Sequence, residues 1–475
     1  MENIASFEWT SVFAEAVLFC GAVLVVLFEA LAPKHKGAIC AFALLAMVAA
    51  IIAYVLVPVE SLSFGETLGG RGGFGVFITA CALLSALLGF GYFSNGGERK
   101  CEFLAVLMVC AAALSIFARS LNLMLSFVAL ECATVCLYVM AAWGRNRAAS
   151  LESAAKYLVV SGVSGGLFLL DTAFIYGAGL ESGVDFLFFE NFTLGLCSNK
   201  FVIGLALVAS AALFKLAAFP FQFWSPDVYQ GSPNPVSAFF AVGSKAAGIV
   251  FLAQVFMYID FSALPAIGSK AAFAVSVIAA LTIIVGNLGA ITQTNAKRLM
   301  GFSGIANAGY LLVLLTALMK APKSSELFEL SLYFYLAAYM FANYAIFFVI
   351  NQFEGDDLSP LELSDFRGLI RKNPVADSTL IIALASLAGI PPTAGFFGKL
   401  LILILAWYAQ LYVLMGIMIA GSVVSIFYYF SWIRASVDVG MGDERRLSGS
   451  YAMLPTMIAL SAATLVFGVI FFLKY

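Results

Sequence analysis

Apolar runs of about twenty residues, parted by short polar segments, recur along the whole chain. Runs of that length match the hydrocarbon core of a bilayer. They predict fourteen spans, at about 10–31, 37–58, 74–94, 102–118, 120–143, 152–177, 201–230, 234–257, 269–293, 296–319, 327–351, 376–408, 411–435 and 450–473. The seventh and twelfth are unusually long, and each is interrupted by proline. Their sequences are FKLAAFPFQFWSPDVYQGSPNP (214–235) and LAGIPPTAGFFGKLLIL (387–403). The opening MENIASFEW carries Glu2 and Glu8 and no basic segment, so the first span is expected to be retained rather than cleaved as a signal. The pattern predicts an all-α polytopic membrane protein of about fourteen transmembrane helices.

Proline inside a helix removes one amide donor and crowds the carbonyl four residues earlier. Pro220 thereby deprives the Leu216 carbonyl, and Pro391 and Pro392 deprive Leu387 and Ala388. At membrane depth such carbonyls are tolerated only where protein or water serves them. Lys215 lies one residue before the first freed carbonyl. Lys399 lies seven residues after Pro392, two turns on and on nearly the same face. Paired broken helices in corresponding halves of a membrane chain point to an inverted repeat with ion sites at the breaks. Each break is expected to be a hydrated polar pocket holding a lysine.

Composition agrees with a lipid solvent: 63% of residues are hydrophobic and 11% charged, with a mean hydropathy of +1.01, whereas soluble domains are about a quarter charged. The net charge is −2 and no basic cluster could track a phosphate backbone, which excludes nucleic acid as a partner. Of 25 Lys and Arg residues, fifteen fall on one side of the spans and seven on the other. The positive-inside rule then puts both termini outside. The remaining three, Lys215, Lys245 and Lys399, lie within spans, where each costs about 2.5–3.5 kcal/mol on insertion scales. Snorkelling is the plainer alternative, and the small flank VGSKAAG around Lys245 could instead admit a neighbouring helix. Glu131 sits near mid-depth of the fifth span, where a carboxylate either takes a proton or finds a cation. Glu15, Asp171 and Glu29 are nearer span boundaries, where interfacial or packing roles compete. Glu131, Lys215, Lys245 and Lys399 together form a row of titratable groups across the middle plane of the membrane. A carboxylate charge moved to about 6 Å from an amine changes the energy of its charged form by roughly 3 kcal/mol at an effective dielectric of 20, enough to load or unload a proton. The eight cysteines are scattered without a CxxC pair and His35 is the only histidine, so the cysteines read as small buried hydrophobes rather than metal ligands.

At these residues the chain resembles the antiporter-like subunits of respiratory complex I, NADH:quinone oxidoreductase, in the form called subunit N, or subunit 2 in mitochondria. FKLAAFPFQFWSPDVYQGSPNPVSAFFAVGSKAAG looks like the family's seventh and eighth helices. TQTNAKRLMGFSGIANAGYLL, GIPPTAGFFGKLLIL and LECATVCLYVMAAWGRNRAASLESAAKYLVVSG are similar to further blocks, so the likeness covers about residues 100–435. The sister subunit M typically has glutamate in place of Lys399, and subunit L carries a long C-terminal extension not seen here. The resemblance implies two inverted five-helix repeats, helices 4–8 and 9–13, with helices 7 and 12 discontinuous. It divides the chain into an N-terminal three-helix segment (1–101), a first repeat (102–257), a second repeat (269–435) and a last helix (450–475). It also implies a proton relay: Glu131 pairing with Lys215, Lys245 at the centre and Lys399 facing the exit.

By the same likeness, proton translocation is driven by quinone reduction elsewhere in the complex. No cofactor is implied in this chain; NADH, FMN, iron–sulfur clusters and quinone belong to partner subunits. The expected partners are other complex I subunits, including the neighbouring subunit M and small membrane subunits, within the bilayer. The expected location is the bacterial inner membrane with both termini periplasmic, or else the mitochondrial inner membrane. One departure stands out, because the family often has histidine where this chain has Asn307, and an amide takes no proton near neutral pH. The relay there must use water or another group, with Ser244, Ser303 and Tyr310 as hydroxyls that could hold it. The loop FEGDDLSPLELSDFRGLIRKNP reads as a solvated linker or an interfacial docking helix. GLESGVDFLFFENFTLG could cover a membrane face. Two other functions stay open at this level: a large subunit of a multisubunit sodium/proton antiporter, and a non-conducting assembly scaffold.

Overall fold

The computed structural model describes residues 12–56, 72–93, 99–145, 147–195, 198–259, 265–321, 325–353, 361–438 and 453–474, almost wholly as helix. Among these residues thirteen helices are long and apolar enough to cross a bilayer, and two shorter apolar helices follow one another as a fourteenth crossing. They are α1 (Phe13–Leu31), α2 (Lys36–Leu56), α3 (Gly73–Tyr92), α4 (Lys100–Arg119), α5 (Leu123–Ala141) and α6 (Ala148–Ser182). The seventh crossing consists of α7 (Asn199–Leu216) and α8 (Trp224–Gly231). Next come α9 (Asn234–Met257), α10 (Pro265–Ile291), α11 (Ala296–Lys320) and α12 (Ser325–Ile350). The twelfth crossing consists of α13 (Pro374–Ala388) and α14 (Ala394–Tyr408), before α15 (Tyr412–Val437) and α16 (Leu454–Lys474). The fourteen-span reading holds, and both breaks fall where the prolines put them. Residues 354–360 of the acidic loop lie outside the described residues.

Side-chain exposure divides the bundle into a centre and a rim. The membrane window of α9 is wholly buried and that of α11 is 89% buried, whereas α16 buries only 22%. Large apolar side chains on the rim, such as Leu31, Val413 and Leu473, face outward, as lipid-facing positions must. The fifth and tenth crossings begin with a matching device. Asn122 caps α5 by accepting the Leu125 amide at 3.1 Å, and Asn295 caps α11 by accepting the Arg298 amide at 2.9 Å. Each asparagine also forms an isolated bridge to a later loop, Asn122 to Phe188 and Asn295 to Glu362. Five crossings separate the two caps, so they lie on opposite faces of the membrane.

The breaks end their first halves in the same way. Ala217 adopts a left-handed φ of 55°, and its amide and that of Ala218 turn back to Phe214 and Leu213. In the twelfth crossing Gly389 takes φ 85°, and its amide and that of Ile390 turn back to Ala385. These are helix-terminating turns of the αL type. Glycine takes this conformation freely, while Ala217 takes it in a fully buried setting.

Two basic residues assigned to loops by the sequence are instead buried. Arg119 ends α4 and donates to Glu15 Oε1 of α1 at 2.6 Å, with Ser115 donating to the same oxygen at 2.9 Å and the Tyr54 ring beneath the guanidinium at 5.5 Å. Lys297 donates to the Ser232 carbonyl at 2.9 Å. Glu15 is therefore a packing residue that ties the first helix to the bundle. Breaking a buried pair leaves one charge without compensation, at a cost of about 3–5 kcal/mol. Arg119→Ala is expected to lower the thermal stability of the detergent-purified protein by that order, and the double change Glu15→Leu with Arg119→Leu is expected to restore most of it.

Candidate functional site

The three span lysines are all buried, at 2%, 2% and 5% exposure for Lys215, Lys245 and Lys399. None snorkels to an interface. Lys399, in the second turn of α14, donates to the Leu387 carbonyl at 2.7 Å and the Ala388 carbonyl at 3.1 Å. These are the two carbonyls that Pro391 and Pro392 leave without amides. An unmade buried hydrogen bond costs about 1–3 kcal/mol, so serving two carbonyls offsets much of the insertion cost of one lysine. The Tyr310 ring lies 5.2 Å from the ammonium.

Lys215 solves a different problem. Its ammonium donates across the bundle to Thr134 Oγ1 of α5 at 3.2 Å and to the Tyr157 hydroxyl of α6 at 3.0 Å, with the Tyr157 ring 5.7 Å away. The helix end beside it is served by another group, the Trp224 indole, which donates to the Phe214 carbonyl at 3.2 Å. The two breaks thus share a shape but not a use of their lysine. The resemblance implied that Glu131 pairs with Lys215; the two share a region of the bundle without a direct hydrogen bond between them. Glu131 is the ninth residue of α5 and half-buried, with its carboxylate against Gly165 of α6. Among the described residues Lys215 makes no ion pair within 4.0 Å. Thr134, three residues beyond Glu131, takes the contact because its short hydroxyl fills the space between the helices.

Lys245 follows a π-helical segment, Phe240–Ser244, within α9. Such bulges recur at functional sites. Among the described residues its ammonium has no hydrogen-bond partner, nor do the buried Tyr229, Tyr339 and Ser244 hydroxyls. The ammonium stands 5.6 Å from the Tyr229 ring and packs against Gly304, where an added Cβ would lie 2.5 Å from Nζ and 3.3 Å from the Tyr339 hydroxyl. Four unpaired polar groups in one buried place are the kind that water satisfies.

From there the polar line continues. The rings of Tyr335 and Tyr339 stack at 6.3 Å, and the Tyr335 hydroxyl donates to Asn307 Oδ1 at 2.6 Å. A cavity of about 10 Å³ is lined by Asn307, Tyr335, Tyr339, Ser386 and Lys399. That volume is close to what one water needs, and the lining supplies polar partners. The Asn307 amide is thus held by Tyr335 and by the Ser303 carbonyl at 2.8 Å, with room for water between it and Lys399. Of the proposed hydroxyls, Ser303 bonds Tyr429, Ser244 is buried without a partner among the described residues, and Tyr310 serves through its ring.

Sequence reasoning missed Tyr157, Thr134, Tyr335 and Tyr339. The last two stand at i and i+4 in YFYLAAY, a spacing that puts them on one helix face, but tyrosines at that spacing also pack ordinary cores. On the basic-rich face, Asp227 of α8 binds Arg298 at 2.5 Å and Lys156 at 3.0 Å, clamping the half-helix that carries Tyr229 between the two repeats.

A polytopic helical bundle with two broken crossings and buried amines at or beside them is the architecture of an ion- or proton-handling membrane subunit. The chain belongs to the NADH:quinone oxidoreductase/Mrp antiporter transmembrane family, whose profile matches residues 120–425. It is 35% identical over 451 residues to NADH-quinone oxidoreductase subunit N 1 of Opitutus terrae, covering 90% of this chain and 87% of that protein. It is 32% identical to subunit N of Dehalococcoides mccartyi, covering 96% and 95%. Among solved structures, a chain of respiratory complex I from Thermus thermophilus with bound Aureothin matches at a TM-score of 0.78 and 30% identity, covering 96% of each chain. A chain of the Mrp complex from Dietzia sp. matches at 0.79 with 17% identity, covering 98% and 96%, a likeness of fold alone.

The Trp224 indole is a second donor to the Phe214 carbonyl beside the Ala217 amide, so Trp224→Phe is expected to lower thermal stability by about 1 kcal/mol through the lost bond. Melting of the purified protein against wild type checks it.

Proposed function

We propose that this chain is the subunit N component of an NADH:quinone oxidoreductase and carries protons along Glu131, Lys215, Lys245 and Lys399. It works in a bacterial inner membrane with both termini periplasmic, beside an antiporter-like subunit M and small membrane subunits. The reading that the chain is instead a large subunit of a sodium/proton antiporter has less behind it, because the relatives at 32–35% identity are named as subunit N. The observation that carries the reading is the polar line through the buried centre of the bundle. It runs from Lys215 and Tyr157, through the unpaired groups about Lys245 and Tyr229, to Tyr339, Tyr335, Asn307 and the small cavity at Lys399.

Each amine can hold a proton or give it up, and the energy of its charged form follows the charge of its neighbours. Lys245, without a protein partner, is the member most free to change state. Lys399 donates to two carbonyls, and its neutral amine still has two N–H groups, so it can give up its third proton while continuing to serve the break. Quinone reduction in partner subunits would supply the driving force. The redox groups belong to those subunits, and among the described residues no three His, Cys, Asp or Glu side chains are grouped to hold a metal. The proposed division places the relay in two repeats, residues 102–257 and 269–435, behind the N-terminal segment 1–101, with 450–475 as the last helix.

Lys215→Ala and Lys399→Ala, each in a complex whose assembly has been verified, are expected to lower proton translocation in proteoliposomes several-fold. Wild-type pumping by both would leave the chain a scaffold. Asn307→His is expected to keep translocation and to give it a pH dependence centred near ~6.5, where an imidazole begins to hold its own proton. An unchanged pH profile would show that the Asn307 position lies off the relay.

A further inference from the structure

Asp171 belongs to none of the roles above. It lies in α6 and is fully buried. Its Oδ1 accepts from the Thr172 hydroxyl at 3.1 Å, and its Oδ2 is buried without a partner. An ionised carboxylate so placed is costly unless a cation answers it. The helices packed on α6 carry Glu131 on α5, Lys200 and Lys215 on α7 and Asp227 on α8, with Lys200 paired to Glu181. None of them bonds Asp171, and among the described residues no basic side chain lies within 4.0 Å of it.

Its position follows from its own helix. The buried face of α6 bears Ser153, Tyr157, Ser161, Ser164, Asp171 and Thr172, with buried Phe168 between Ser164 and Asp171. At one end Ser153 donates to the Asp227 carbonyl on the basic-rich face. In the middle Tyr157 receives the Lys215 ammonium, and Ser164 donates to the Ala211 carbonyl of α7. Gly165, against Glu131, lies six residues before Asp171, about 9 Å along the axis. Beyond it the Asp171 backbone crosses α7 at Gly204, in the second turn of that helix, where an added Cβ would lie 3.1 Å from the Asp171 carbonyl. Asp171 therefore stands between the Glu131–Lys215 region and the face opposite the Lys156–Asp227–Arg298 network.

We propose that Asp171 is a further proton-holding residue, which exchanges protons between the first repeat and that opposite face along the buried face of α6. The inference rests on the relay reading of Lys215. In the step, the free Oδ2 takes a proton from a water or hydronium on one side and becomes a neutral acid. It then returns that proton to water on the other side, restoring the carboxylate.

The test uses the intact complex in proteoliposomes with three variants, Asp171→Asn, Asp171→Glu and Lys215→Ala, each checked for assembly. Proton translocation is expected to fall several-fold in Asp171→Asn, to persist in Asp171→Glu, and to fall in Lys215→Ala. Wild-type pumping by Asp171→Asn beside an impaired Lys215→Ala overturns the role of Asp171 and leaves the relay standing. Wild-type pumping by both overturns the relay reading itself. If Asp171→Asn does not assemble, wild-type complex is treated with an apolar carbodiimide, which adds a protonated carboxyl across its C=N bond and rearranges to a stable acylurea. A mass adduct at Asp171 supports the proposal, and its absence while Glu131 is modified overturns it.

Discussion

Backbone carbonyls inside lipid must be served, and this requirement shapes the protein more than any single packing contact. Two crossings are broken by proline, and each break would leave carbonyls bare in a medium that offers no donors. At the second break the chain answers with the Lys399 ammonium on Leu387 and Ala388, while at the first the Trp224 indole joins the Ala217 amide at the Phe214 carbonyl. Once a lysine or an indole is committed to a break, the helices around it must leave polar room, and the rest of the buried polar line follows from that room.

The second break shows how structure and chemistry are joined. Lys399 is at once the cap that lets α13 end in the membrane and a group able to release a proton. A purely structural cap would be better made by a group that never changes charge. At the first break the two duties are separated, the indole capping the helix while Lys215 reaches Thr134 and Tyr157. The two breaks therefore share a geometry while using their lysines differently.

Between the lysines the connection is made mainly by tyrosines. Tyr157, Tyr229, Tyr335 and Tyr339 each present a ring to fill space and a hydroxyl to carry polarity, which suits a core that must be closely packed and still conduct. Asn307 fits the same scheme. Held at its oxygen by Tyr335, it borders a cavity of about one water's size beside Lys399, so an amide can stand in the line without itself taking a proton.

The sequence by itself determined the fourteen crossings, the places of both breaks, the carbonyls that proline strips at 387 and 388, and the burial of Lys215, Lys245 and Lys399. These are legible because they follow from local rules: a run of apolar residues long enough for a bilayer, and a ring that cannot donate. Only the tertiary structure decided which group meets which. It set Lys215 against Thr134 and Tyr157, moved Arg119 from loop to a buried pair with Glu15, and put Tyr339 between the Lys245 region and the cavity at Lys399. Such contacts join helices far apart in the chain, and their choice depends on side-chain reach and on the rotation of each helix about its axis. Neither is written in the spacing of residues along a single span.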